Sequence, residues 1–380
     1  MKDILEYFNA QQNNMLSDLK AFIEMETPST DKKLLDKFAD YMAMYIENNL
    51  GVKPEIIKSS DAGNNIRLFI RGKYDNQVLL LCHYDTVFPA GTLKSRPFNV
   101  KDGKGYGPGI FDMKAGLVQT LYALIALIKK GGPKYSTVLL ITSDEEIESG
   151  SSKDIIIEEA KKSILTLVME PSMDGALKTE RSGVGTITVK IHGKAAHAGL
   201  EPEKGINAIY EMAYMVPVIE KLNDREKGTS INLNVINGGG RSNVIPDFCQ
   251  GIMDIRYKLP EESDRIIEAL KEAPIRIPGS RREIEYKLRP PLVKNENSEE
   301  LFLSVRKIGE EIGLDLKEAS VAGGSDGNFC SYYCPVIDGL GAVGGGAHSD
   351  NEYILVNQIP ERTALLYLIL KNIESPGGNL

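Results

Sequence analysis

Two histidines and a series of carboxylates, each placed where an apolar segment stops, are the residues of this chain best suited to chemistry. His83 closes the run "QVLLLCHYD", with Asp85 two residues on. Asp112 lies in "GPGIFDMKAG", Asp144, Glu145 and Glu146 end "VLLITSDEEIESG", and Glu170 ends "LTLVMEPS". His348 follows a glycine-rich stretch in "LGAVGGGAHSDNEY", where the backbone can approach a site closely. Each has a plain structural reading. A lone histidine is more often packed than a ligand, an aspartate before a helix reads as an N-cap, and an acid triplet reads as a solvated turn. Jointly, two imidazoles and several carboxylates form a nitrogen–oxygen donor set that suits zinc, and one shared carboxylate would suit two zinc ions. Three adjacent carboxylates also repel one another unless a cation sits among them. Of two neighbouring glutamates, one can ligate while the other handles the proton of a water. Asp85 is close enough to accept a hydrogen bond from the His83 ring nitrogen that a metal would not use.

Such residues need a scaffold that gathers strand ends. The C-terminal edge of a buried parallel strand is where open α/β sheets place their chemistry. Up to about residue 175, helical and strand patterns alternate: helices at 1–25, 34–51, 116–131 and 151–162, and strands at 65–72, 77–85, 136–146 and 165–172. Gly51 reads as a helix C-cap. Continuous apolar strands separated by helices predict a mostly parallel sheet with helices on both faces. After residue 178 the pattern changes. "GTITVKIHG" alternates strictly, with Ile187, Val189 and Ile191 on one face, and "SINLNVING" does likewise. The order strand, helix, strand, strand, helix, strand over 178–287 predicts a ferredoxin-like α+β unit. It would be inserted into a catalytic domain formed by residues 1–177 and 288–380, a division consistent with the length of the chain. An alternating strand such as "GTITVKIHG" at the edge of a small sheet would leave backbone groups unpaired unless it is covered or pairs with a copy of itself.

Composition narrows the partners. With 45 Lys and Arg against 53 Asp and Glu, the net charge is −8, which argues against nucleic acid. No window reads as a membrane span, and the N-terminus lacks the apolar core of an export signal. Four scattered cysteines then predict reduced thiols and a cytoplasmic setting. Cys330 and Cys334 lack the further ligands of a metal site. Gly238–Gly240 and Gly344–Gly346 lack the spacing of a phosphate loop and read as turns.

The motifs "HYDTV", "GPGIFDMKAG", "SDEEIES", "MEPS", "GKAAHAG", "GGGRSNVIPD", "DIRY" and "HSDNEY", in this order over nearly the whole chain, resemble the M20 metallopeptidase family. Within that family the chain is most similar to the glutamate carboxypeptidase (carboxypeptidase G2-like) branch. The resemblance implies a zinc-exopeptidase-like fold with an inserted lid or dimerisation domain. It implies two Zn2+, for which Co2+ or Mn2+ could substitute, with His83 and Glu170 on one ion, Glu146 and His348 on the other, and Asp112 between them. Asp85 would orient His83 and Glu145 would be the general base. His197 would polarise the scissile carbonyl, often across a homodimer built through 178–287. The implied reaction is hydrolysis of an amide bond in a peptide or N-acyl amino acid with a free carboxylate. Arg256 and Asn243 are the candidates to meet that carboxylate, with Gly323, Lys178 and Arg289 as further substrate contacts. Glu170 stands where tripeptide aminopeptidases usually carry Asp. Ala115 replaces a common glycine, and "HSDNE" the frequent "HSPNE". An aminoacylase or deacylase, such as a succinyl-diaminopimelate desuccinylase-like enzyme, would use the same metals. A catalytically silent metal-binding scaffold is the alternative outside enzymes, and retention of Glu145 beside Glu146 argues against it.

Overall fold

The structure, a computed structural model, describes residues 2–374 and divides into two compact units. The larger comprises Met1–Glu180, Lys294–Ser320 and Ser325–Leu380; the smaller comprises Arg181–Val293 with Val321–Gly324. The smaller unit starts after the predicted 178 and ends past the predicted 287, because Arg181 and Leu292 exchange both backbone hydrogen bonds at 3.0 Å. The Arg181 guanidinium also donates to the Gly323 and Gly324 carbonyls at 3.1 and 2.8 Å, which draws the return segment into the same unit.

The core of the larger unit is a six-stranded sheet in the order Glu55–Ile57, Asn65–Ile70, Tyr135–Thr142, Tyr74–His83, Ser163–Val168, Val336–Ile337. The last four strands are mutually parallel, and Asn65–Ile70 alone runs against the rest. All eight residues of Tyr135–Thr142 and all six from Val78 to His83 are buried, as parallel strands covered on both faces must be. The two central strands end level, with His83 opposite Thr142. The helix Lys32–Leu50 shows the local logic of the covering layer. Asp31 caps its first turn by accepting from the Lys33 and Leu34 N–H groups, Leu35, Phe38, Met42 and Ile46 form its buried stripe, and Gly51 at φ 70° ends it. The segment Ile110–Lys129 is long and apolar enough to cross a membrane by length and composition, but 83% of its most apolar window is buried in the protein.

A small antiparallel sheet, Gly344–Gly345, Tyr353–Leu355, Lys104–Tyr106 and Asn99–Lys101 in that order, lies in the same unit. It was not legible in the sequence, since none of its strands exceeds three residues. It sets the hairpin that carries His348 beside the strand leading to Asp112.

The smaller unit has the strand–helix order expected, with a four-stranded antiparallel sheet Ser230–Gly238, Phe248–Tyr257, Gly183–His192, Arg281–Arg289. Ile187, Val189 and Ile191 enter its core with Met212, Met253 and Ile266. The expectation that "GTITVKIHG" forms an edge is wrong. Gly183–His192 is an inner strand, paired on both sides, because the two crossover helices return the chain to flank it. The edges are Ser230–Gly238 and Arg281–Arg289.

Candidate metal centre

His83 is the last residue of its strand, and its ring is fully buried. Its Nδ1 lies 3.1 Å from the Asp85 carbonyl oxygen and 3.4 Å from the Asp85 carboxylate. The backbone carbonyl is thus the nearer acceptor, while the carboxylate takes other work: it accepts from Ser29 Oγ at 2.8 Å and from the Glu145 and Glu146 N–H groups at 3.1 and 3.2 Å. With Nδ1–H committed, the lone pair of a neutral ring faces outward on Nε2. That nitrogen lies 3.1 Å from Asp112 Oδ1 and 3.2 Å from Glu170 Oε1. Three electron-rich atoms this close require a positive charge among them, a proton or a metal cation.

The second cluster repeats the pattern. His348 Nε2 lies 3.4 Å from Asp112 Oδ2 and 3.0 Å from Glu146 Oε2. Asp112 therefore gives one oxygen to each imidazole. The ligand atoms of His83, Asp112 and Glu170 all lie within 4.8 Å of one another, as do those of Asp112, Glu146 and His348. Glu146 Oε1 is buried and makes no hydrogen bond, so it keeps its lone pairs for a cation. The residues fit two adjoining divalent ions with a shared carboxylate.

The electrostatics agree. Burial opposes a charge on His83, but its bonds to Asp112, Asp85 and Glu170 outweigh this and hold its pKa well above the ordinary histidine value. Asp112 and Glu146 push His348 up to about 11. Burial raises Glu146 to about 8 against the bond from His348, and burial with the Asp112 charge raises Glu170. Burial alone would raise Asp112 too, but hydrogen bonds from both imidazoles hold it well below the carboxylate range. The Glu145 charge adds to the rise at both Glu146 and Glu170. Asp144 belongs to neither group; its Oδ2 accepts from the Ser151 N–H at 2.6 Å.

Asp112 is not an N-cap. It precedes the helix Ala115–Lys129 by three residues in a non-helical conformation, and Glu352 shapes its loop by accepting from the Gly109, Phe111 and Asp112 N–H groups at 3.0, 2.8 and 3.0 Å. His348 sits at φ 62° on an exposed hairpin. Arg96 holds this hairpin, donating to the Ser349 carbonyl at 3.0 Å and pairing with Asp350 at 3.3 Å while lying over the Phe88 ring. Asp350, the departure from "HSPNE", thus meets a partner. Sequence reasoning missed Ser29, Glu352 and Arg96, whose signal is a single polar residue remote from the ligands it serves.

In the smaller unit, a two-residue ladder pairs His197 with Val244, and the Ala198 N–H donates to the Asn243 carbonyl at 2.9 Å. Two predicted contacts 46 positions apart in sequence are therefore neighbours. The exposed His197 ring accepts the Gly199 and Leu200 N–H groups on Nδ1 at 3.1 and 3.2 Å. Arg256 is matched bidentately to Asp254, at 3.0 and 2.7 Å. Arg289 is buried and Gly323 exposed in the same unit, whereas Lys178 belongs to the larger one, its backbone paired with Asp338. An open pocket lined by Gly238, Arg241, Val244 and Phe248 lies wholly in the smaller unit and contains none of the metal-cluster residues.

A mostly parallel sheet and its neighbouring loops gather two histidines and three carboxylates into two adjoining groups that could each hold a metal ion, the arrangement of a metal-dependent enzyme. The profile of peptidase family M20/M25/M40 matches residues 79–372. Carboxypeptidase G2 of Pseudomonas sp. (strain RS-16) is 32% identical over 379 residues, covering 97% of this chain and 90% of that protein. A succinyl-diaminopimelate desuccinylase of Wolbachia sp. subsp. Brugia malayi is 28% identical over 373 residues, with 91% and 90% covered. Among solved structures, the M20 family metallo-carboxypeptidase Sso-CP2 from Sulfolobus solfataricus superposes with a TM-score of 0.71 at 18% identity, over 94% of this chain and 99% of that one. The chain belongs to peptidase family M20/M25/M40, and it is a hydrolase of the metallopeptidase class.

Proposed function

We propose that the chain is a two-zinc carboxypeptidase of the glutamate carboxypeptidase type, cleaving the amide bond that precedes a free C-terminal carboxylate. The observation that carries this reading is the division of Asp112 between His83 and His348, with Glu145 next to the ligand Glu146 on a turn held by Asp85. His83, Asp112 and Glu170 would hold one ion, and Asp112, Glu146 and His348 the other. When bound, such a pair polarises a carbonyl and lowers the pKa of a water between the ions. Glu145 belongs to neither ligand set and is the base that takes the proton of the attacking water and returns it to the leaving amine. Asp85 orients His83 through its carbonyl and anchors Glu145 and Glu146 through its carboxylate. Because His197 Nδ1 accepts two backbone N–H groups, the neutral ring carries its proton on Nε2, the donor the developing oxyanion requires.

For the substrate carboxylate, Arg256 with Asn243 is the first candidate pair, Arg256 being aligned by its bidentate bond to Asp254; Gly323, Lys178 and Arg289 would add further contacts. The match to a succinyl-diaminopimelate desuccinylase keeps deacylation of an N-acyl amino acid as the second reading. The four described cysteines are free and buried, which supports a reducing, cytoplasmic setting. The smaller unit offers the surface for a homodimer: the edge strand Ser230–Gly238 exposes Val235 and Ile236, and the helix Ala208–Lys221 exposes Tyr210 and Tyr214.

The test combines metal analysis with a panel of C-terminal glutamyl peptides and N-acyl amino acids. Glu145→Gln should retain both ions and lose about 10²–10⁴-fold in kcat, whereas Glu146→Gln should lose one ion. Near-normal turnover by Glu145→Gln would refute the assignment of the base.

A further inference from the structure

We infer that Asp326 is a positioning residue for Glu145 and Glu146, acting through the turn that presents them; the inference rests on the roles proposed above for those two glutamates. The turn, residues 143–149, begins where the strand Tyr135–Thr142 stops and ends before the helix Lys153–Lys162. A single buried carboxylate joins its two ends. Thr142 Oγ1, on the last strand residue, donates to Asp326 Oδ2 at 2.8 Å, and Ser149 Oγ donates to Asp326 Oδ1. Both hydroxyls and the carboxylate are buried, where charge-assisted hydrogen bonds are strong.

The turn needs such a clamp. Glu148 and Ser149 stand consecutively at φ 75° and 53°, in the left-handed region that non-glycine residues disfavour. The Glu148 N–H returns to the Glu145 carbonyl at 3.1 Å and the Ser149 N–H to the Asp144 carbonyl at 2.8 Å, which tightens the chain around the two glutamates. Asp85 holds the middle of the turn through the Glu145 and Glu146 N–H groups, and Asp326 holds its base.

Asp326 is itself fixed. It opens the short helix Asp326–Cys330, whose cap, Ser325, accepts the Gly327 N–H at 3.2 Å and donates to Asp338 Oδ2 at 2.6 Å. The two carboxylates therefore lock a strained turn from both sides and point Glu146 at the second cluster with Glu145 beside it. With Asp326 gone, the turn would relax where its left-handed residues are, at the Glu146 side. His83, Asp112 and Glu170 lie on other segments and would stay in place.

The experiment compares wild-type holoenzyme with Asp326→Asn and Ser149→Ala, reading bound zinc after dialysis, kcat and KM separately, and thermal unfolding. Asp326→Asn should fall about ten- to a hundredfold in kcat, the scale of a misplacement of about 1 Å. KM should change little, and one of the two ions should be lost while the other remains. Ser149→Ala, which removes one arm of the clamp and leaves the carboxylate bonded to Thr142, should shift the same quantities in the same direction by less. It also keeps the inference testable if Asp326→Asn fails to fold. Two bound ions with kcat within about twofold of wild type in either folded variant would overturn the inference. Equal loss of both ions in a variant that still folds would overturn it too, because the clamp acts on the Glu145–Glu146 turn alone. Glu145→Gln, measured in parallel, separates the failures: if it stays active the base assignment fails, whereas the selective loss of one ion still reports on the clamp.

Discussion

Asp112 and Lys114, two residues apart, show how one loop handles opposite charges. Asp112 reaches two imidazoles and stays ionised; Lys114 is buried with its ammonium on carbonyl dipoles, donating to the Phe22 and Met25 oxygens at 2.9 Å each over the Phe38 ring. Burial pulls the Lys114 pKa down to about 7, against the opposing charges of Glu352 and Glu26. The sign of the linkage follows. Between about 7 and the unfolded value near 10.4, the unfolded chain binds a proton that the folded chain does not, so stability rises with pH across that window. Lys114→Met should remove this rise and, through its two lost hydrogen bonds, destabilise by about 1–3 kcal/mol. Urea unfolding at several pH values between 7 and 10 checks both, and an unchanged slope in the variant would contradict the assignment.

At the scale of elements, close packing sets where Glu170 stands. The helix Ala115–Lys129 and the segment through Gly341 press on the same carbonyl. A Cβ at Gly116 or at Gly341 would come within 2.2 Å of the Met169 oxygen, one residue before Glu170. Ala115, by contrast, is accommodated in the core, so the glycine missing there costs the site nothing. Gly116→Ala must push the helix start away from the strand end, carrying Asp112 away from Glu170. The expected result is destabilisation of about 1–3 kcal/mol, as for other overpacked cores, with weaker retention of the ion at His83, Asp112 and Glu170. Thermal unfolding with zinc titration measures both effects, and wild-type stability and zinc affinity in the variant would refute the packing argument.

For the whole molecule, assembly is the open prediction. His197 belongs to the smaller unit and the metal clusters to the larger, so its action in trans requires a second chain. Of the two edges, Ser230–Gly238 has its outer half exposed, and a two-fold pairing there would satisfy its backbone and cover Val235 and Ile236. Mixing an inactive His197→Ala chain with an inactive Glu145→Gln chain should restore activity if the histidine serves the partner's site, because half the sites of a mixed dimer then hold both groups. Demonstrated subunit exchange without recovered activity would assign His197 to its own chain's site or to none.

Local pattern determined much of this protein. Short apolar runs bounded by turn residues read as strands buried on both faces, so "QVLLLCH" and "TVLLIT" announce a parallel core whose ends carry the polar residues that follow. Strict alternation marked the smaller sheet for the same reason. Pattern does not contain pairing: the periodicity of "GTITVKIHG" is the same on an inner strand as on an edge, and only the return of the crossover helices makes it inner. Nor does it contain the partners of single polar residues. That Glu352 holds the Asp112 loop, Arg96 the His348 hairpin and Asp326 the Glu145–Glu146 turn was decided by contacts between residues from 177 to 254 positions apart. Such contacts leave no periodic trace, because one side chain meeting one distant group constrains nothing about its neighbours in the chain.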